Sequence, residues 1–143
     1  MMENDCSYSG QMQGLEIRVS ATLRIFGIIK DISEIARTLN IDPTHVHRNG
    51  DIRSAGAKAY EHDMWSLTAP VPREEPLERH LLWLKEHLSP HRAYIRNLAD
   101  SCTVDIFCGY RTDSDQGGFE LSPDALSVFS DLGIRMCVSV IIV

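Results

Sequence analysis

From Glu16 to Ile25 polar and apolar residues alternate without an error. Ile17, Val19, Ala21, Leu23 and Ile25 fall on one face, and Glu16, Arg18, Ser20, Thr22 and Arg24 on the other. Period two is the spacing of a β-strand, because successive side chains leave a strand on opposite sides. Such a strand has to lie in a sheet with one face against an apolar layer. If helices cover only that face, the row Arg18, Ser20, Thr22 and Arg24 is a sheet surface open to a partner.

The rest of the chain supplies the covering layer. After Gly27, Asp31 and Glu34 make a capping-box-like start, and Ile32, Ile35, Ala36 and Leu39 recur at helical spacing. Asp42-Pro43 stops this helix, since the residue before proline is pushed out of helical geometry. Thr44 to Arg48 fits a short extended piece, Asn49-Gly50 marks a turn, and a loop runs on to His62. Met64 to Thr68 fits a second strand. Leu77, Leu81, Leu84 and Leu88 line one face of a helix, and Ser89-Pro90 predicts the cap and first turn of another carrying Tyr94, Ile95 and Leu98. Cys102, Val104, Ile106, Cys108 and Tyr110 alternate with Thr103, Asp105, Phe107 and Gly109 in a further strand. Ser122-Pro123 and Gly133 bracket a helix with Leu126, Phe129 and Leu132 spaced three apart. Ile134 to Val143 is the last strand, and its uninterrupted apolar end predicts a central position covered on both faces. An exposed edge there would instead template a homodimer. The order of elements predicts a single α+β domain over 15–143, a sandwich of a four- to five-stranded, mostly antiparallel or mixed sheet with three to four helices packed on it. Residues 1–14, rich in Ser, Gly, Gln and Asn, are expected to form a flexible tail.

At 143 residues the chain is the length of one ordinary domain. Its formal charge of −6 disfavours nucleic acid or an anionic membrane as the main partner, because the summed field repels both. Cys6, Cys102, Cys108 and Cys137 include no Cys-x-x-Cys pair, which fits reduced thiols and neither a zinc ribbon nor a disulfide framework. Cys102 and Cys108 share the parity of Val104 and Ile106 and are expected to be buried. No signal-like segment opens the chain and no apolar run approaches the ~20 residues of a membrane span, so a cytoplasmic location is expected.

Several segments taken in order carry a resemblance. These are Ala21-Thr22-Leu23-Arg24-Ile25-Phe26-Gly27, Asp42-Pro43-Thr44, Arg48-Asn49-Gly50-Asp51, Trp65-Ser66-Leu67, Leu77-Glu78-Arg79-His80-Leu81, and Leu121-Ser122-Pro123 leading to Leu132-Gly133. Together they make the chain similar to an uncharacterised bacterial family, the domain of unknown function 4279. The resemblance implies a small stand-alone domain and brings no catalytic residue, ligand or cofactor with it.

Candidate chemistry is sparse. His45-Val46-His47 puts two imidazoles on one side of an extended segment, where they could share a metal with His62, His80 or Asp51. His80, His87 and His91 lie on or beside the leucine-faced helices and are expected at the surface or at helix ends, where a protonated imidazole is favoured. No nucleophile elbow, phosphate-binding loop or dinucleotide fingerprint is present, and no cofactor is implied. Trp65 fits either a core anchor or the aromatic centre of a recognition surface. The reading that follows is a non-enzymatic protein-binding module of immunity or regulatory type, acting through acidic or sheet-face surfaces. Its candidate interaction residues are Arg18, Arg24, His45, His47, Arg48, Asp51 and Trp65. The alternative is a metal- or small-ligand-dependent enzyme using the His45 and His47 region.

Overall fold

The first strand, β1 (Ile17–Gly27), obeys its alternation: Ala21, Leu23 and Ile25 are wholly buried, while Ser20, Thr22 and Arg24 between them stay partly exposed. A computed structural model describes residues 16–143, so the expected tail over 1–14 lies outside the described residues. The remaining elements are α1 (Ile32–Leu39), β2 (His45–His47), β3 (Asp63–Thr68), α2 (Leu77–Leu88), a 3-10 turn (Ser89–His91), α3 (Arg92–Leu98), β4 (Thr103–Thr112), α4 (Pro123–Leu132) and β5 (Arg135–Ile142). The strands form one mixed sheet in the order β2-β3-β1-β4-β5. β1 pairs antiparallel with β3 and β4, β2 antiparallel with β3, and β5 parallel with β4. The parallel pair requires a crossover connection, which α4 supplies.

One core joins the odd-numbered face of β1 to Trp65 and Leu67 of β3, to Val104, Ile106 and Cys108 of β4, and to Ile35, Leu39, Leu81, Leu84, Leu88, Ile95, Val128 and Leu132 of the helices. Among the described residues the helices thus bury their apolar stripes on one side of the sheet. The expected α+β sandwich is what forms. Ser122 caps α4 by accepting the Ala125 N–H at 3.2 Å, and Gly133 ends it at φ 67°, a left-handed conformation that glycine adopts without strain. Among the described residues no helix is long and apolar enough to cross a membrane.

Five expectations are corrected. β5 is an edge strand, not a central one, with Val140 and Ile142 each 59% exposed. An apolar run shows that a strand is greasy without showing how many neighbours it has. The inward face of α4 is Ala125, Val128 and Leu132, because a stripe of spacing three drifts off a helix of 3.6 residues per turn, leaving Leu126 exposed. Ser89 caps nothing with its side chain; its hydroxyl donates to Asp131 Oδ2 at 2.8 Å, tying the start of the 3-10 turn to α4. Asp31 likewise makes no side-chain cap, its carboxylate accepting instead from Arg37 at 3.1 Å. His80 is fully buried, sitting between Leu77, Leu81 and Leu84 on the inner stripe of α2. His87, by contrast, stacks on Trp83 at 3.9 Å near the helix end.

Burial lowers the His80 pKa, with the Glu75 and Pro72 carbonyls opposing it more weakly. Nε2 lies 3.2 Å from the Glu75 carbonyl, whereas Nδ1 has no hydrogen-bond partner. A histidine that resists protonation in the folded state takes up its proton more readily in the unfolded one. Stability therefore falls as pH drops below the ordinary imidazole value of 6.5. The melting temperature is expected to decline between about pH 6.5 and 5, with a smaller decline in His80→Leu. Equal slopes for the two proteins in thermal melts would refute this role for His80.

Candidate functional site

On the side of the sheet away from the helices, register assembles a continuous polar row. Arg24 lies opposite Ser66 on β3 and opposite Asp105 on β4, Ser66 lies opposite His45, and Asp105 lies opposite Arg135. One line, His45, Ser66, Arg24, Asp105 and Arg135, thus crosses five strands, a span of about 19 Å at ordinary strand spacing. Arg24 is its centre. Its Nε donates to Asp105 Oδ1 at 2.8 Å and its Nη2 to Oδ2 at 2.6 Å, a bidentate pair in which the Asp105 side chain is 7% exposed. The Asp105 hydrogen bond raises the Arg24 pKa above its ordinary value, and the Cys137 thiol of β5 also faces the guanidinium. The charge lies 4.7 Å from the ring centre of Phe107 and 5.4 Å from that of Phe26, both on the same face.

At the β2 end the row meets a cluster of rings. His45 Nε2 and His47 Nδ1 are 3.0 Å apart and share a hydrogen bond. Tyr60 stacks on His47 with centroids 3.4 Å apart and planes 7° from parallel, while His62 lies 5.9 Å from Phe26. Tyr60 and His62 come from the loop after β2, which folds back on itself through Gly50 N–H to the Tyr60 carbonyl and Tyr60 N–H to the Asp51 carbonyl, both at 2.9 Å. Desolvation first, then the neighbouring His45, lowers the His47 pKa against the pull of Asp51. One ring nitrogen of each histidine is thus committed to the other. Among the described residues no group of three or more His, Cys, Asp or Glu side chains is placed to hold a metal ion.

Asp63 anchors this end. It opens β3 from a buried position, its Oδ2 accepting Ile29 N–H at 2.9 Å and its Oδ1 accepting Asn49 N–H at 2.9 Å and Arg48 Nε at 3.1 Å. One carboxylate therefore ties the β1–α1 connection and the turn after β2 to the end of β3. The Asn49 and Ile29 N–H groups hold its pKa below the ordinary carboxylate range.

The sequence candidates divide accordingly. Arg24, His45 and His47 share the open face, and Arg48 and Asp51 sit beside them, where Arg48 N–H donates to Asp51 Oδ2 at 2.8 Å. Arg18 is on the same face toward the start of β1, paired with Glu16 at 3.0 Å and Glu74 at 3.5 Å. Trp65 belongs to the opposite face and is 1% exposed, a core anchor and no part of the surface. Cys108 is buried as expected and its thiol pKa is pushed up to about 12, Cys102 is only half-buried, and both are free thiols, as is Cys137. Asp105, Phe107, Phe26, Tyr60 and Asp63 are neighbours in this face that the sequence reading did not single out, whereas His62, read there as a possible metal co-ligand, lies against Phe26. The parity of β4 does place Asp105 and Phe107 on the polar side, but register alone sets Asp105 against Arg24.

Asp63→Ala is expected to orphan the buried Ile29 N–H and free the half-buried Asn49 N–H, and to lower stability by about 1–3 kcal/mol. A carboxylate with a depressed pKa contributes its full stability above the ordinary carboxylate value. It loses that contribution as pH falls through the depressed one, so the wild type gains an acid-unfolding phase below about pH 4 that the variant lacks. Denaturant titrations of both proteins from pH 7 to 3 measure the difference, and parallel curves would contradict the anchoring role.

The full extent of this fold, from the first strand through β5, is also what comparison with known proteins recovers. No curated protein and no solved structure matches the chain. A family model, described as "Domain of unknown function (DUF4279)", matches residues 16–142 and so covers both the core and the open face. The chain belongs to that family.

Proposed function

We propose that this chain is a non-enzymatic protein-binding module, of immunity or regulatory type, that receives its partner on the open sheet face centred on Arg24. The observation that carries this reading is the polar row from His45 to Arg135, laid across a sheet whose helices all pack on the other side. A face of this kind has the make-up of a recognition surface: an arginine between aromatic rings at the centre, with the exposed His45, Arg111 and Arg135 farther out.

Charge supports the same reading. The strands present Arg18, Arg24, Arg111, Arg135, His45 and His47 on this face, and the acids paired with them are Glu16, Glu74 and Asp105, in a chain of net charge −6. Arg18 and Arg24 are neutralised by their partners, whereas Arg111 and Arg135 are exposed and have no ion pair among the described residues. An acidic protein surface would complement this face and would be repelled by the rest of the molecule. The groups at its centre are engaged with one another, Arg24 with both oxygens of Asp105 and His45 with His47. Such mutual satisfaction suits a rigid contact surface better than proton transfer.

The test is affinity capture from the native host, followed by binding measurements on Arg111→Glu, Arg135→Glu and His45→Ala, with Arg79→Glu on α2 as a control for the helix side. The open-face variants are expected to weaken a captured partner by about tenfold or more while the control binds normally. Undiminished binding by all three would refute the surface. A stoichiometric metal lost in His47→Ala would move the reading to a ligand-dependent activity at His45 and His47.

A further inference from the structure

Among the described residues, the second feature of the sheet that lacks a covering element is its β5 edge. Val143 N–H donates to the Thr112 carbonyl at 3.0 Å, and Thr112 is the register partner of Ile142. In a parallel ladder this sets which backbone groups point inward. Residues 141 and 143 turn theirs toward β4, so the alternate residues Met136, Val138, Val140 and Ile142 turn their N–H and C=O groups outward. Among the described residues none of these outward groups has a partner across the edge. The side chains beside them are apolar and open: Val138 is 43% exposed and Val140 and Ile142 are each 59% exposed.

Beyond the exposed Arg135 that opens it, this edge has, among the described residues, none of the devices that keep sheet edges from pairing. From Met136 to Val143 there is no charge, no proline and no glycine, in a chain of which 24% is charged. The other edge, β2, is three residues long and ends in a folded loop, so a head-to-tail contact of β5 with β2 pairs little backbone. A second β5 offers eight residues of the same composition. In an antiparallel pair related by a two-fold axis, side chains of one parity stay on one face. Val138, Val140 and Ile142 then pack against their own counterparts on the helix side, and Ser139 and Ile141 against theirs on the open side.

We propose that β5 is a self-association edge, through which two copies of this chain join antiparallel into one continuous ten-stranded sheet. The two-fold axis stands normal to the sheet, so both helix layers share one side of the dimer and both open faces share the other. The dimer carries two copies of the row from His45 to Arg135 on a single surface. The inference rests on the edge alone and stands whether or not the open face binds a protein.

Light scattering coupled to size exclusion, from about 1 to 100 µM, is expected to give a mass rising toward twice 16.1 kDa for the unaltered chain and 16.1 kDa for Val140→Lys. Hydrogen exchange on the unaltered chain keeps the test independent of how well that variant folds. The amides of Met136, Val138, Val140 and Ile142 are expected to gain protection with concentration, while those of Cys137, Ser139 and Ile141, already bonded to β4, stay unchanged. A monomer throughout, an open-ended polymer, or a dimer that forms without protecting those four amides would each overturn the proposal.

Discussion

Arg24 stands near the middle of the central strand on the side opposite the helices, and its placement is forced. Parity puts it across the strand from Leu23 and Ile25, which the core requires, so its charge must emerge on a sheet face with strands on both sides. A guanidinium there loses much of its water and needs a fixed partner. Asp105 on the neighbouring strand supplies one with both oxygens, and Phe26 and Phe107 flank the pair. Breaking one member would leave a largely desolvated charge alone, which costs more than the pair itself contributes. The same contact fixes the register of β1 against β4, because a slip of one residue would drive Arg24 into the core and Leu23 into water.

From that register the rest of the face follows. Ser66 and His45 are brought into line with Arg24 by β3 and β2, and Arg135 by β5. The β2 end is too short to hold itself by backbone pairing, and here Asp63 and the returning loop take over: the carboxylate gathers Ile29, Arg48 and Asn49, and Tyr60 closes over His47. The result is a surface whose central groups are fixed by one another before any partner arrives, the condition under which binding loses least to ordering.

The alternation of Glu16–Ile25 made the one-sided sheet legible from sequence, and the leucine stripe of α2 and the Ser122 cap made two of its helices so. Strand order was not legible. The run from Val140 to Val143 is as apolar as a central strand, and only the parallel pairing with β4 shows it to be an edge. His80 misled because a helical histidine is usually outside, and its position on the inner stripe beside Leu77, Leu81 and Leu84 was the available signal. Trp65 resolved into the core because its parity on β3 matches Leu67 and opposes Ser66. Of the site, the sequence offered Arg24, His45 and His47 separately. Their common face depends on register between strands about 20 to 80 residues apart, a property of pairing that no local pattern encodes. Asp105 and Asp63 were hidden for the same reason, since an acid in a strand has meaning only once its cross-strand neighbour is known.

The central claim is that the Arg24–Asp105 pair organises the open face, and a double-mutant cycle tests it most directly. Unfolding free energies would be measured for the wild type, Arg24→Leu, Asp105→Leu and the double variant. The account predicts that each single change destabilises strongly and that the double variant recovers part of the loss, with a coupling of about 1–3 kcal/mol. Additive losses, within about 0.5 kcal/mol, would contradict it and reduce the pair to two energetically independent residues.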